Sequence, residues 1–347
     1  MTSFRSRVEF LISAVVVLAL FLPLMCEAAE VSEIVTYELN GKIVVDMPGW
    51  KNTKPDGEAP AVSPMGDAVA FARQGNVYLL RQDGVSTQLT HFQSLSQPEI
   101  VFLGQHVSWS PTGEHLVYTR ILPFKYDQKT GVFYKIKGIP SPSRNMVYLH
   151  TIWLLNIRNG KTKQIVGPMG YFNKLWKTDQ LQGASVYEPM FSPDGKTVWF
   201  LNAGSLYEVS VNLITLNSTG KPRLVAQIGD GLDFNSPGAS KWGTGAQQME
   251  WDKKTGRLDY WIGRFWGSGV SEYGYITWKN GKWGKAAKWQ PELAPKIRDN
   301  YFWGCLIDSD GMLWVHANLD TGSCWVRNDL EKKLPPDAIN PNWKPFE

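Results

Sequence analysis

The sequence predicts an all-β protein, a β-propeller of six blades that are each a four-stranded antiparallel sheet. A short turn phrase recurs along it: Ser63-Pro64-Met65-Gly66, Ser110-Pro111-Thr112-Gly113 and Ser192-Pro193-Asp194-Gly195, with looser copies at Asp252-Lys253-Lys254-Thr255-Gly256 and Asp308-Ser309-Asp310-Gly311. Each copy follows an apolar residue suited to a strand end (Val62, Trp109, Phe191, Trp251, Ile307) and precedes a run of β-formers. No stretch beyond the leader has the periodicity of a long helix. A turn repeated about once per sheet is the mark of a radial repeat.

Taken in order, residues 1–28 read as a secretory signal peptide. Arg5 and Arg7 supply the positive start, an apolar stretch follows, and Cys26-Glu27-Ala28 places small residues at the two positions that a signal peptidase reads. An uncleaved anchor and a lipidated Cys26 are the alternatives. The propeller domain then covers 29–347. Strands at 34–38 and 42–45 about Asn40-Gly41 are expected to close the ring by completing the last blade.

After the three full turns, Val69 and Phe71, Leu116 and Tyr118, and Val198 and Phe200 alternate, and the intervening Ala70, Val117 and Trp199 are apolar too. Strands apolar on both faces belong to sheets sandwiched between neighbours, so Trp199 is expected to wedge between blades. Later hairpins are signalled by Gly75-Asn76, Asp83-Gly84, Asn159-Gly160, Ala203-Gly204 and Asn280-Gly281. The first motif spacing, 47 residues, suits one blade, and the last two, 60 and 56, suit blades with longer loops. The second, 82, is too long, and the excess reads as an insertion at 121–144. The four prolines after 334 predict an extended C-terminal arm.

At these turns the chain resembles the TolB-like propeller repeat family, whose blades carry Ser-Pro-Asp-Gly after an apolar or aromatic residue. Phe191-Ser192-Pro193-Asp194-Gly195-Lys196 matches that phrase almost fully. The resemblance spans roughly 33–327 and implies the repeat fold without an activity. The family's namesake has an α/β domain ahead of its propeller, for which about 30 mature residues leave no room here. The hydrolase domain that follows related propellers in serine peptidases needs a Gly-x-Ser-x-Gly elbow, and Trp266-Gly267-Ser268-Gly269 lacks that spacing.

The formal charge of +4 is mild and shows no basic element suited to nucleic acid. The five histidines, His91, His106, His115, His150 and His316, are not at metal-ligand spacing, so neither a metal nor another cofactor is expected. Asp230, Asp233, Glu250, Asp252 and Asp259, near several tryptophans, form the densest acidic group and would suit a glycosidase. Loop composition accounts for them equally well, and no catalytic residue is assigned. Eleven of the 16 tryptophans fall between Trp242 and Trp343, where blade packing is their expected role.

Recognition is expected on the insertion, at Lys125, Tyr126, Phe133, Tyr134, Lys135 and Lys137, and in the glycine-flanked pair Phe265 and Trp266. Export leaves Cys305 and Cys324, whose pairing is open. They fall on the first and third of three consecutive strands, roughly 9–10 Å apart, against a disulfide reach of about 7 Å. The expected role is a non-catalytic binding or scaffold protein in the periplasm or secreted, membrane-proximal at most, engaging another envelope protein. The alternative is a glycan-binding or carbohydrate-active propeller using an acidic and aromatic funnel.

Overall fold

The computed structural model describes residues 35–92, 107–127, 132–135, 146–169, 186–202, 204–228, 244–264, 270–289, 302–307, 313–319, 322–327, 333–334 and 338–343. The chain divides into two units, Met1–Glu33 and Ile34–Glu347; the first, with the expected signal peptide, lies outside the described residues. In the second, every described element is β or turn, and no described helix is long and apolar enough to cross a membrane.

The strands run β1 (Val35–Leu39), β2 (Lys42–Asp46), β3 (Glu58–Val62), β4 (Ala68–Arg73), β5 (Asn76–Arg81), β6 (Ser86–Gln88), β7 (Val107–Trp109), β8 (His115–Asp127), β9 (Val132–Lys135), β10 (Met146–Asn156), β11 (Thr162–Val166) and β12 (Val186–Phe191). They continue as β13 (Thr197–Asn202), β14 (Ser205–Asn212), β15 (Asn217–Ser218), β16 (Arg223–Ala226), β17 (Thr244–Asp252), β18 (Arg257–Arg264), β19 (Val270–Lys279), β20 (Lys282–Trp289), β21 (Phe302–Ile307), β22 (Leu313–Leu319), β23 (Gly322–Arg327) and β24 (Ile339–Trp343). Among the described residues these form six antiparallel sheets: β2-β1-β24, β3–β6, β7–β11, β12–β16, β17–β20 and β21–β23. Two have four strands, as expected; two have five and two have three.

Each of the four described motif copies is the connection between the first and second strands of a sheet. The hydrogen bonds explain the phrase. Gly66, Gly113 and Gly195, all at positive φ, donate their N–H to the carbonyls of Ser63, Ser110 and Ser192 at 2.8–2.9 Å. The serine hydroxyl then accepts a backbone N–H from the next strand: Ala68 at 3.1 Å, His115 at 3.0 Å and Thr197 at 3.0 Å. In the fourth copy Asp252 takes the serine's place and accepts from Lys254 and Thr255. Successive turns also lie side by side. A side chain on Gly113 would meet Pro64 at 3.8 Å, and one on Gly195 would meet Pro111 at 3.5 Å.

The sheets pack face to face through apolar layers. Ile43 with Val62, Val69, Phe71 and Leu80 joins the first sheet to the second. Ala61, Ala70 and Leu79 meet Leu116, Tyr118 and Trp153 between the second and third, where Trp109 Nε1 also donates to the Ala61 carbonyl at 2.9 Å. Val117, Ile152 and Leu154 meet Val198, Phe200 and Val209 between the third and fourth. Trp199, Leu201 and Leu206 meet Met249, Leu258 and Ile276 between the fourth and fifth.

The N-terminal hairpin β1–β2 shares a sheet with β24, the strand from the other end of the chain. Two sequence expectations change. The residues after 334 are not all an extended arm, because β24 pairs antiparallel with β1, Val35 opposite Trp343 and Thr36 opposite Asn342. Pro341 falls at the register irregularity of that pairing, where a missing N–H is tolerated. The insertion, in addition, does not leave the sheet at Ile121: β8 runs unbroken to Asp127, and β10 pairs with it from Met146.

Candidate functional site

The alternation of strand directions puts the connection between the second and third strands of each sheet at the end opposite the motif turns. Both sequence-predicted recognition segments occupy such connections, one between β8 and β10 and the other between β18 and β19. The first is an arm rather than a loose loop. β8 and β10 stay paired from the sheet outward, through Leu122 with Leu149 and Phe124 with Val147 to Lys125 with Met146. β9 lies on the other edge of β8, with Phe124 opposite Lys135, Lys125 opposite Tyr134, Tyr126 opposite Phe133 and Asp127 opposite Val132.

Burial divides the arm. Leu122 and Phe124 are 5% and 4% exposed and belong to the apolar layer shared with the neighbouring sheet. They fix the root of the arm. Lys125 is exposed and Tyr134, directly across the ladder from it, is 52% exposed. Two exposed residues paired across an antiparallel ladder are held a few ångströms apart on one face. Tyr126, Phe133 and Lys135 take their places on these strands, while Lys137, Phe265 and Trp266 lie outside the described residues.

The acidic group resolves in part. Glu250 stands opposite Asp259, and Asp252 opposite Arg257, on neighbouring strands of the fifth sheet. Arg257 Nε bonds Asp259 Oδ2 at 3.0 Å and stands 3.7 Å from Asp252. Burial, then the charge of Glu188, then that of Asp259, pushes the Glu250 carboxyl up to about 8. Burial likewise raises Asp259 to about 7, with Arg257 opposing and Asp252 adding. Trp251 points to the opposite face and joins the apolar layer with Trp199. Trp199 is fully buried, with Trp251, Trp278 and Trp283 around it at centroid distances of 5.4, 5.5 and 4.6 Å. These four rings fill a gap between two sheets. Asp230 and Asp233 lie outside the described residues, and no cluster of three metal-ligating side chains occurs among those described.

Cys305 lies opposite Val315 and Cys324 opposite Ala317, so β22 separates them. Two strand spacings come to about 9–10 Å. Sequence reasoning passed over two features at this end of the sheets: Glu188, on β12 at positive φ within a strand irregularity, and Arg120 at the root of the arm. Neither sits in a recognisable local phrase.

No family model matches the chain, and no curated protein matches it. Among solved structures, TolB from Acinetobacter baumannii is similar at 13% identity, over 91% of this chain and 68% of that one, with a TM-score of 0.53. An oligogalacturonate lyase in complex with manganese aligns at 10% identity over 81% and 65%, with a TM-score of 0.44. Porphyromonas gingivalis dipeptidyl peptidase 4 aligns at 13% over 87% and 44%, with a TM-score of 0.40. Only the first bears on the fold. The chain is an all-β protein with a TolB-like propeller fold, and that likeness extends to architecture alone.

Proposed function

We propose that this chain is an exported six-bladed propeller that acts as a binding module, engaging another protein of the bacterial envelope through the arm of β8, β9 and β10. The observation that carries the reading is the exposed Lys125–Tyr134 pair on an arm whose root is buried in the core. A tyrosine beside a cation on a rigid support loses little entropy on contact and matches the composition of interface anchors. The six sheets, and a sheet that combines strands from both chain ends, support a closed six-bladed ring. The basic, apolar and small-residue order of 1–28 supports export.

The test is affinity purification of the tagged chain from its native envelope, beside a Lys125→Glu/Tyr134→Ala variant. Both substitutions are at exposed positions, so the fold persists. A stoichiometric protein partner that is lost with the variant supports the arm as the interface. Recovery of the same partner by both chains places the interface elsewhere, and recovery of no protein by the intact chain overturns the reading.

A further inference from the structure

Arg120 lies on β8 at the foot of the arm, on the face turned toward the β3–β6 sheet. Its guanidinium carbon stands 3.5 Å from the centre of the Phe92 ring and 5.3 Å from that of Trp153. The two rings meet each other edge-on, 5.8 Å apart at 67°. Both walls are fixed by their own hydrogen bonds. Trp153 Nε1 donates to Thr151 Oγ1 at 2.8 Å, and that hydroxyl donates to the Arg120 carbonyl at 2.8 Å. The Phe92 N–H donates to Asn76 Oδ1 at 2.7 Å, and Asn76 Nδ2 donates back to the Phe92 carbonyl at 3.3 Å.

The guanidinium is therefore half-buried and held between aromatic walls, yet among the described residues no carboxylate pairs with it and no acceptor takes its N–H groups. Burial lowers its pKa. Cation–π contact offsets part of the cost of withdrawing this charge from water, but five N–H donors are left without a carboxylate's geometry. A partly buried guanidinium without a counter-charge is costly unless something else supplies the acceptors.

We propose that Arg120 anchors an anion site at the foot of the arm, beside the junction of the β3–β6 and β7–β11 sheets, and that its ligand is a carboxylate. The Phe92 ring covers one face of the guanidinium, so recognition falls to the edge. A planar carboxylate takes two N–H groups there, in the guanidinium plane, without displacing the ring. The fork is already oriented by its walls, so little rotamer freedom is lost when the anion arrives. The carboxylate belongs either to a free organic acid or to an acidic residue of a bound peptide. The inference stands apart from the role given to Lys125 and Tyr134, and its failure leaves that role untouched.

The test uses the full chain at constant ionic strength, titrated with citrate and separately with an N-acetylated tetra-aspartate peptide. Binding is read by calorimetry and by the change in tryptophan fluorescence, compared with a Trp153→Phe variant. Saturable binding is expected, with a melting temperature that rises with ligand. Arg120→Lys, which keeps the charge and loses the fork, should bind about tenfold more weakly. Arg120→Gln should abolish both binding and the ligand-dependent rise. If Arg120→Gln does not fold, the lysine variant carries the comparison. Tighter binding of the peptide assigns the carboxylate to a polypeptide, and tighter binding of citrate assigns it to a free acid. Absence of saturable binding, equal binding by Arg120→Lys, or stronger binding of inorganic phosphate than of either carboxylate overturns the proposal.

Discussion

The serine of the repeated phrase does more than its neighbours suggest. Proline and glycine set the dihedrals of the turn, but Ser192 Oγ also receives the Thr197 N–H and donates to Asp194 at 2.6 Å, so one hydroxyl ties the turn to the second strand. Ser192→Ala leaves the Thr197 donor without that acceptor in a buried place, and about 1–2 kcal/mol of stability should be lost in chemical denaturation. Glu250 gives the pH dependence its sign. Its carboxyl is raised to about 8 in the fold, chiefly by burial, and ionises near 4.3 in an unfolded chain. Between those values the folded state holds a proton that the unfolded state has released. Stability therefore falls as pH rises through about 4.5–8 and stays low above it. Glu250→Gln removes that charge, so its melting temperature should match the wild type at pH 5 and exceed it by several degrees at pH 8; coincident values at pH 8 would refute the account. The turn was readable from sequence because Pro, Asp and Gly act on their own backbone. The raised Glu250 was not, because its burial and the neighbouring charge of Glu188 arise only when two sheets pack.

The arm shows how far a strand outlasts its visible pattern. Sequence breaks at Gly131, Gly138 and two prolines suggested a loop from 121, yet Leu122 and Phe124 continue the buried alternation of Tyr118 and belong to the same apolar layer. The alternation was present in the letters; the loop composition beyond it hid the point where it ends. Deletions discriminate accordingly. Joining Lys125 to Met146 through Asn-Gly keeps their ladder pair and every residue described as buried, and the melting temperature should change by only a few degrees. Removing 123–142 takes Phe124 from the core and should cost about 3–5 kcal/mol more. The three-stranded sheet of β21, β22 and β23 makes a second, independent prediction. With β22 between them, Cys305 and Cys324 should both be alkylated in the denatured, unreduced protein and recovered as modified peptides by mass spectrometry. A linked pair of peptides would mean that one of these strands is out of place.

The junction of the two chain ends was the least visible feature in the sequence, for a physical reason. β24 is Ile-Asn-Pro-Asn-Trp, with one proline and no alternation, and nothing local marks it as a strand. Its partner β1 lies at the other end of the chain. Only the fold brings them together, against β3 on one side and with Leu334 and Ala338 buried beside Tyr37 and Val44. That arrangement decides between two mechanical pictures. In an open stack of sheets, loss of the last strand weakens the sheet it leaves and little else, since each unit leans only on its neighbours. In a closed ring, β24 is the clasp, and its loss lets every inter-sheet layer part. Leu334→Ala, a cavity of one side chain, should cost about 2–3 kcal/mol. Removing 334–347 should do more than double that loss: hydrogen exchange should quicken in β12, β13 and β14, on the sheet remote from the cut, as strongly as in β1 and β3. Exchange confined to β1 and β3 would identify an open stack, and the six-bladed ring would then have to be given up.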